Sequence, residues 1–404
     1  MSLDVSSIRK DFPILERRIN DRPMIYLDNA ATSLKPRAVV DAVTGFYTRS
    51  CANIHRAVHA LSQEASELYE DARERIARFI NAEEEEIVFV RNATEAINLV
   101  ARCLPRDGAV VTTLMEHHSN YLPWQAGRET RVAGVLGDGR LDVDDFDAKL
   151  GQGGVALAAF THVSNGLGVV NPVADLTALA RKRDALVLLD GSQSVPHRPC
   201  DVKQLGCDFF VFSGHKMLGP SGIGVLYGRE DLLEKMPPFL MGGDMISAVH
   251  REDYELADLP YKFEAGTPNI EGVIGLGAAV DYLSSVGMEA IHDHERRLLE
   301  LAVEGLGTVD RVTLHGPDSM AQRSSVVSFA LEGLEPHGLA RMLSNRYSIM
   351  LRSGYHCAQP LHEALDLLQS ARASFYLYNT EDEVRQLVEA VRTLSEYYTR
   401  RGGG

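Results

Sequence analysis

Short apolar runs alternate along the middle of the chain with longer stretches in which apolar residues recur every three or four positions. The runs are typical of buried strands, and the periodic stretches are typical of amphipathic helices. The strands are predicted at Ile87–Val90, Ala109–Thr113, Val155–Phe160, Ala185–Leu189, Phe209–Phe212 and Gly224–Tyr227. The helices are predicted at Ala57–Asn81, Thr94–Cys103, Pro172–Arg183 and Glu271–Val286. This alternation predicts an α/β fold with a mostly parallel sheet covered by helices.

The pattern changes near residue 289, where a long charged helix is predicted to begin. The elements predicted after it are a strand at Val326–Leu331 and helices at Glu335–Asn345 and Thr380–Thr399. We therefore expect a large domain over residues 23–288 and a smaller α/β domain over residues 289–404, an ordinary division for a chain of 404 residues. Residues 1–22 are expected to pack on the small domain.

The composition is that of an ordinary globular protein, with 45% hydrophobic and 24% charged residues. No apolar stretch reaches the roughly 20 residues of a membrane helix, and the first ten residues lack the apolar core of a secretion signal. A formal net charge of −15 argues against a nucleic-acid-binding surface. The five cysteines are scattered, which favours reduced thiols over disulfides. Together these features predict a cytoplasmic protein.

Lys216 follows a predicted strand directly, in Ser213-Gly-His215-Lys216, and a glycine-rich segment comes next. Ligands of open α/β sheets bind outside the carboxyl ends of the strands. A lysine there can form a Schiff base with a carbonyl cofactor, for which pyridoxal 5′-phosphate (PLP) is the obvious candidate. A solvated surface lysine is the alternative, and Lys216 alone does not decide between the two.

Two further strand ends carry groups that a PLP site needs. Asp190 ends an apolar strand and could either cap the next turn or face a protonated pyridine nitrogen, while Gln193 could donate to the ring hydroxyl. His117 belongs to a histidine pair that follows the strand at 109–113. It could stack on an aromatic cofactor, although a histidine pair also suits zinc. Each feature alone leaves both interpretations open.

Groups that suit a phosphate and a carboxylate occur in other segments. Thr94 begins a helix after a strand, where backbone N–H groups suit a phosphate, unless the threonine serves only as a helix cap. The amide of Asn165 could hold the ring or a substrate carboxylate, and the planar guanidinium of Arg372 suits a carboxylate. These segments would supply both ends of a site for a cofactor and its substrate.

Cys357 differs from the other cysteines in its context. It lies in Arg352-Ser-Gly-Tyr-His-Cys357-Ala-Gln-Pro, a segment without helical or strand periodicity. A thiol on such a loop is expected to be accessible, and a nearby imidazolium or arginine would raise its thiolate fraction. The cysteines that we interpret as inert, buried side chains are Cys51, Cys103, Cys200 and Cys207.

The order of these segments resembles the fold-type-I PLP enzymes of the class V aminotransferase group, specifically the SUF-type (group II) cysteine desulfurases and selenocysteine lyases. The resemblance runs from Tyr26-Leu-Asp-Asn-Ala-Ala-Thr to Ala371-Arg-Ala-Ser-Phe-Tyr-Leu-Tyr-Asn-Thr. Its most specific motifs are Phe212-Ser-Gly-His-Lys216, Phe263-Glu-Ala-Gly-Thr267-Pro-Asn and the segment around Cys357. It implies a large domain with a mostly parallel, seven-stranded-type sheet and a smaller C-terminal α/β domain.

The resemblance also implies a role for each residue on these motifs. Lys216 would bind PLP covalently and move the substrate proton, and Cys357 would be the sulfur-accepting nucleophile. His117 would stack on the ring and count among the catalytic residues. The other cofactor contacts would come from Asp190, Gln193, Thr94, Ser213, His215 and, across the interface of a homodimer, Thr267. The substrate would be bound by Arg372, Asn165, His55 and Arg352.

The implied reaction converts L-cysteine to L-alanine and leaves a persulfide on Cys357. The sulfur would pass to an acceptor protein, for iron–sulfur cluster or other sulfur-cofactor assembly. The chain departs from the group's pattern at Ala93, where one phosphate donor is expected to be missing. The other departures are Tyr355 in place of a frequent histidine, and Ser192 and Ser194 in place of frequent alanines. None of them removes a catalytic group.

Other functions stay open at the level of the sequence. A selenocysteine lyase uses the same scaffold, whereas an aminotransferase or a kynureninase-like hydrolase has no need of a cysteine on a loop. A third possibility is a metal-binding or scaffold protein without turnover, since His55 and His59 are four residues apart and could share a metal. Arg56, however, occupies the place where a zinc protease motif needs glutamate. We expect no metal.

Overall fold

The computed structural model describes residues 3–401. The predicted N-terminal segment 1–22 and the predicted small domain 289–404 are therefore described without residues 1, 2 and 402–404. The α-helices are α1 Val5–Lys10, α2 Arg37–Gly45, α3 Ala60–Phe79, α4 Ala93–Cys103, α5 Leu122–Gly127, α6 Val143–Gly151, α7 Val173–Lys182, α8 Val202–Leu205, α9 Glu230–Lys235, α10 Ile270–Val286, α11 Met288–Gly307, α12 Pro336–Tyr347, α13 Gln359–Ala364 and α14 Glu381–Arg401.

The β-strands are β1 Arg18–Ile19, β2 Arg22–Pro23, β3 Ile25–Tyr26, β4 Ile87–Val90, β5 Ala109–Thr113, β6 Thr130–Ala133, β7 Val155–Thr161, β8 Leu186–Asp190, β9 Phe209–Ser213, β10 Gly224–Gly228, β11 Ile246–Val249, β12 Tyr254–Leu256, β13 Val312–His315, β14 Val326–Leu331, β15 Ile349–Met350, β16 Arg352–Gly354 and β17 Ser370–Ser374. The bounds of the predicted central strands and helices agree with these within a few residues.

A seven-stranded sheet with the order β4-β10-β9-β8-β7-β5-β6 forms the centre of the molecule. Strands β9, β8, β7, β5 and β6 run parallel to one another, while β10 is antiparallel to both β4 and β9. The parallel strands are joined by helices, as crossover connections require. The α/β fold with a mostly parallel sheet is therefore confirmed.

Alternation along each strand places apolar side chains on both faces of this sheet. In β4, Ile87 and Phe89 pack into the core that contains α3 and α10, whereas Val88 and Val90 pack into the core that contains α4. Because both faces are covered, the central strands are continuously apolar rather than alternating. That is why their positions could be predicted from short apolar runs.

Some elements differ from the prediction, among them the start of one helix and an edge strand. The helix predicted from Ala57 begins at Ala60, because His59 has an extended backbone and its Nδ1 accepts a hydrogen bond from the Ser62 N–H at 3.2 Å. Strand β6 was not predicted. It lies at the sheet edge and buries only Ala133 fully, so it lacks an apolar run.

A second sheet, with the order β13-β14-β17-β16, follows residue 289 and packs with α11, α12 and α14 around a separate apolar core. Ile25 and Leu27 belong to this core, and β3 pairs in parallel with β15. Near the N-terminus, Arg9 donates to the Tyr378 carbonyl at 2.6 Å and pairs with Glu383 at 2.8 Å. The division into residues 1–22, 23–288 and 289–404 stays a prediction.

Within residues 3–401, no helix combines the length and the apolar character that crossing a lipid bilayer demands.

Candidate active site

A cleft opens at the carboxyl ends of β8 and β9 and beside the second sheet. It gathers nine of the residues singled out from the sequence, which are Thr94, His117, Asn165, Asp190, Ser213, His215, Lys216, Arg352 and Arg372. The carboxyl ends of parallel strands meet at one edge of a sheet, which explains why residues far apart in the chain come together there. Arg352 and Arg372 reach the cleft from β16 and β17 of the second sheet.

Lys216 lies just after β9, in the short 3₁₀ turn Gly214–Lys216. Burial lowers the pKa of its amine from 10.5 to about 8. The Asp190 carboxylate opposes this shift, and the guanidinium groups of Arg372 and Arg352 add to it. Near neutral pH the amine therefore has a much larger neutral fraction than an ordinary lysine, as a nucleophile or a base requires.

His117 is held as a neutral imidazole. Burial lowers its pKa to about 3, and the positive charge of Lys216 adds to the effect. Its Nδ1 accepts a hydrogen bond from the Ser119 N–H at 3.1 Å and lies 2.9 Å from the Ser119 hydroxyl. The ring proton consequently sits on Nε2, and the uncharged ring suits stacking on an aromatic cofactor.

Asp190 ends β8 and faces the cleft. Its Oδ1 accepts a hydrogen bond from the Ser192 N–H at 2.9 Å, so it does cap the following turn, but it also lines the cleft. The two interpretations of Asp190 are thus compatible. Gln193 is buried, and its Nε2 donates to the carbonyl of Ala30, a residue that lines the cleft, at 2.8 Å. Its predicted bond to the cofactor hydroxyl stays a prediction.

The N-terminus of α4 forms one end of the cleft. The Asn92 side chain caps the helix by accepting from the Glu95 N–H at 3.0 Å, and the Ala93 N–H donates to the Ser213 hydroxyl at 2.9 Å. Thr94 Oγ1 lies 2.6 Å from the hydroxyl of Ser119. Ser119 was not singled out from the sequence, yet it supplies a hydroxyl beside the helix that begins at Ala93.

Arg372 lies at the other end of the cleft and is buried. Its guanidinium donates to the Asn165 carbonyl at 2.7 Å and lies 3.4 Å from a carboxylate oxygen of Asp28, a residue that was not singled out from the sequence. Burial lowers the pKa of Arg372 to about 10, which leaves it a cation at neutral pH. A fixed, buried guanidinium of this kind suits a substrate carboxylate.

Cys357 lies on the irregular turn between β16 and α13, as the sequence predicted. Its Sγ is half-buried and lies 3.8 Å from Nη2 of Arg352, which lines the cleft. The guanidinium of Arg352 thus donates a hydrogen bond to this sulfur. His356 and Cys357 have φ angles of 52° and 58°, a left-handed conformation that non-glycine residues seldom adopt and that is common at functional sites.

His55 and Thr267 lie outside the cleft of their own chain. His55 borders a separate cavity of about 350 Å³, where its Nε2 lies 2.7 Å from a carboxylate oxygen of Glu70. Thr267 is exposed, and the next residue, Pro268, borders the same cavity. Within one chain, the structure therefore does not join these two residues to the other predicted site residues.

The expectation that Cys51 is buried is wrong, since its side chain is exposed. Cys103, Cys200 and Cys207 are buried, as expected. Burial raises the pKa of Cys200 to about 11, so its thiol stays protonated and unreactive at neutral pH.

The residues of the cleft fit PLP. Lys216 offers an amine with a lowered pKa, Asp190 a carboxylate for a pyridine nitrogen, His117 a flat ring, and the α4 N-terminus a place for phosphate. Among the described residues, the buried atoms Arg372 Nε and His356 Nδ1 have no hydrogen-bond partner. Both residues line the cleft, where a bound polar ligand would offer one.

Comparison with known proteins agrees with this fit. The family model described as Aminotransferase class-V matches residues 25–387. The Cysteine desulfurase of Haloferax volcanii is 45% identical, with 98% of each chain covered. The Probable cysteine desulfurase of Halobacterium salinarum is 48% identical, with 96% of each covered. The apo structure of the cysteine desulfurase from Thermococcus onnurineus NA1 has a TM-score of 0.93 and 41% identity, and the match covers 98% of this chain and 99% of that one.

These findings identify the class of protein that the fold and the cleft define. The chain belongs to the class V aminotransferase family. Within that family, its relatives at 44–48% identity are named as cysteine desulfurases or probable cysteine desulfurases. The resemblance noted from the sequence motifs is confirmed.

Proposed function

We infer that the chain is a PLP-dependent cysteine desulfurase, which takes sulfur from L-cysteine and releases L-alanine. The observation that carries this function, beyond PLP chemistry in general, is the position of Cys357. Its sulfur lies 3.8 Å from Arg352, which lines the same cleft as Lys216. An aminotransferase needs no thiol at this place.

When bound, PLP supplies an aldehyde for the substrate amine and an electron-withdrawing ring. Lys216 would hold the cofactor through that aldehyde. When Nζ of Lys216 is free and neutral, it would accept the Cα proton of the substrate and later return a proton to the product. Asp190 would pair with the ring nitrogen of the cofactor, and the neutral imidazole of His117 would hold the ring by stacking on it.

Substrate orientation falls to the second sheet. The Arg372 guanidinium is fixed by Asn165 and Asp28, so that its remaining donors can bind the carboxylate of L-cysteine in one orientation. This would turn the Cα–H bond toward Lys216 and the substrate sulfur toward Cys357. Because the Arg372 side chain is already buried and held by hydrogen bonds, it loses little conformational entropy when the substrate binds.

Sulfur transfer is the step that Cys357 performs. The thiolate Sγ forms a bond to the substrate sulfur while the Cβ–S bond of the substrate breaks. The electron pair of that bond stays on the carbon skeleton, which takes up a proton and leaves as alanine. Cys357 keeps the sulfur as a persulfide. Arg352 donates to Sγ at 3.8 Å and so helps to hold the sulfur beside the cleft before attack.

A pair of cysteine variants tests this function. Cys357→Ser should keep the visible absorbance of the Lys216–PLP Schiff base, including its loss on borohydride reduction, but lose alanine release from L-cysteine by at least about a hundredfold. Cys51→Ser is the control, because Cys51 is exposed and does not line the cleft, and this variant should keep the parent rate. If Cys357→Ser released alanine at the parent rate, the role of Cys357 would be wrong.

We also propose that the active enzyme is a homodimer with shared sites. The hairpin β11–β12 and the segment before it expose large apolar side chains, namely Leu240, Met241, Val249, Tyr254 and Leu256. Exposed apolar groups this numerous in one segment are typical of an interaction surface. The hairpin adjoins the cavity of His55, since Arg56 forms an ion pair with Asp244. Across this surface, His55 and Thr267 would reach the cleft of the second chain.

The persulfide must be passed on, and we propose an acceptor protein in the cytoplasm that serves iron–sulfur cluster or other sulfur-cofactor assembly. Proteins captured by the persulfidated enzyme can be tested one by one for stimulation of alanine release. L-selenocysteine is the second candidate substrate, because the same groups would act on it. Comparing initial rates on the two amino acids, with and without the acceptor, decides which one the enzyme uses.

A further inference from the structure

His118, the second histidine of the pair that follows β5, is left without a role by the proposed reaction. Its ring does not line the cleft, and its centroid lies 6.3 Å from that of His117. It contacts the turn that carries Cys357 instead. We propose that His118 is the positioning residue of the nucleophile, which holds the Cys357 turn in the geometry for attack on the substrate sulfur. This inference rests on the proposed desulfurase function.

Two hydrogen bonds join His118 to that turn, one at Cys357 itself and one two residues later. The His118 N–H donates to the Cys357 carbonyl at 2.8 Å. The Gln359 N–H donates to Nε2 of the His118 ring at 3.3 Å. The turn is thus held by both the main chain and the side chain of a single residue, 239 positions earlier than Cys357 in the sequence.

The conformation of the turn explains why such a contact is needed. His356 and Cys357 are both in the left-handed region, and each such non-glycine residue costs of order 1 kcal/mol or more unless its surroundings impose it. Asn165 supplies one restraint, since its side-chain amide donates to the His356 carbonyl at 2.5 Å. His118 supplies the restraint at Cys357 itself and at the start of α13.

The position of His118 also links the nucleophile to the cofactor. His117 and His118 are adjacent: His117 is the N-cap of the 3₁₀ turn His118–Asn120, and His118 is its first residue. The same short turn therefore fixes the ring that would stack on PLP and the backbone that carries Cys357. A displacement of this turn would change the distance between Cys357 and the place of the cofactor ring. Displacements near 1 Å can reduce a rate by about a hundredfold.

Two variants isolate the side-chain acceptor, because both keep the His118 N–H. In His118→Gln, the side-chain oxygen lies as many bonds from Cα as Nε2 does, so it can still accept from Gln359. In His118→Asn, the oxygen is one bond too short. We expect His118→Asn to slow alanine release from L-cysteine about five- to tenfold, the effect of one lost hydrogen bond. His118→Gln should stay within about twofold of the parent rate.

A second readout separates positioning of the thiol from a general structural effect. L-alanine binds in the cleft without any need for Cys357, and its Cα proton exchanges with solvent deuterium through Lys216. Both variants should show the parent exchange rate and the parent cofactor absorbance. The inference is overturned if His118→Asn transfers sulfur at the parent rate, if it loses deuterium exchange in parallel with sulfur transfer, or if His118→Gln is equally slow.

Cys357→Ser measured alongside keeps this inference apart from the proposed function. If Cys357→Ser loses alanine release while His118→Asn keeps it, only the role of His118 is wrong. If Cys357→Ser also keeps alanine release, the role of Cys357 on which this inference rests is wrong.

Discussion

At the scale of single residues, burial sets the charge of the groups that act. Burial lowers the pKa of Lys216 to about 8 and that of His117 to about 3, so the first is a usable base and the second a neutral ring at neutral pH. Burial also lowers the pKa of Arg372, but only to about 10, so its guanidinium stays charged at neutral pH. Burial in one cleft thus sets the charge that the reaction needs on each of these three groups.

The pKa of Lys216 predicts how cofactor binding depends on pH. Only the neutral amine attacks the PLP aldehyde, and a lowered pKa makes this form dominant above pH 8 instead of above 10.5. In cofactor-free protein, the rate at which the Schiff-base absorbance appears should rise with pH and level off above about 8. Arg352→Met removes a positive charge near the amine, so its midpoint should lie at higher pH.

N-acetyl-lysine amide in solution, titrated with the same cofactor, corrects for the ionisation of PLP itself. A rate that kept rising steadily to pH 10 would show that Lys216 titrates as an ordinary lysine.

The residue scale also shows what the sequence could predict. Lys216, Asp190 and His117 follow apolar strands, and strand ends of a parallel sheet meet at one edge, so their meeting could be foreseen. Asp28 and His118 could not be foreseen in the same way. Their contacts with Arg372 and with the Cys357 turn join segments more than two hundred residues apart, and neither has a local pattern.

At the scale of elements, a buried ion pair fixes α3 to the central sheet. The Arg73 guanidinium binds both carboxylate oxygens of Glu264 at 2.9 Å and the Ile87 carbonyl at 2.7 Å. Glu264 also accepts from the Phe89 N–H at 2.8 Å. The side chains of Arg73 and Glu264 are almost fully buried, so water could not solvate either charge if the other side chain were removed.

Removing one partner of this pair should therefore destabilise the fold strongly. We expect Glu264→Ala to lower the free energy of unfolding by about 3–5 kcal/mol, because it leaves the buried Arg73 charge with only the more exposed Glu70 carboxylate as its partner. Arg78→Ala breaks the exposed pair with Glu74 on the same helix and should cost less than about 1 kcal/mol. Urea unfolding followed by circular dichroism measures both, and equal midpoints for the two variants would contradict this account.

Elements also differ in how well the sequence predicts them. The central strands were predicted because both of their faces are buried and their sequences are continuously apolar. The edge strand β6 and the hairpin β11–β12 were missed, since most of their side chains are only partly buried or exposed and give no apolar run. Their positions depend on pairing partners, which periodicity within one segment does not reveal.

At the scale of the whole molecule, the proposed dimer explains why His55 and Thr267 lie away from the cleft of their own chain. The prediction from one sequence assigned them to the site, and a single chain cannot bring them there. If two chains exchange these residues, each site contains Lys216 and Cys357 from one chain and His55 from the other.

Subunit mixing tests this arrangement. Lys216→Ala and His55→Ala chains, each weakly active alone, should recover roughly a quarter of the parent activity when unfolded and refolded together, because half of randomly paired dimers contain one intact site of two. The matched control mixes Lys216→Ala with Cys357→Ser. Both of these residues belong to the same chain's cleft, so no activity should return. Equal results from the two mixtures would rule out shared sites.

The central claim is that Cys357 takes the sulfur, and the product on the enzyme tests it most directly. The PLP-loaded protein, mixed with one equivalent of L-cysteine and without an acceptor, is digested and its cysteine peptides are analysed by mass spectrometry. We predict one added sulfur atom on the peptide of Cys357, in a one-to-one ratio to the alanine formed, and none on the peptide of Cys51. Alanine formation with an unmodified Cys357 peptide would contradict the account.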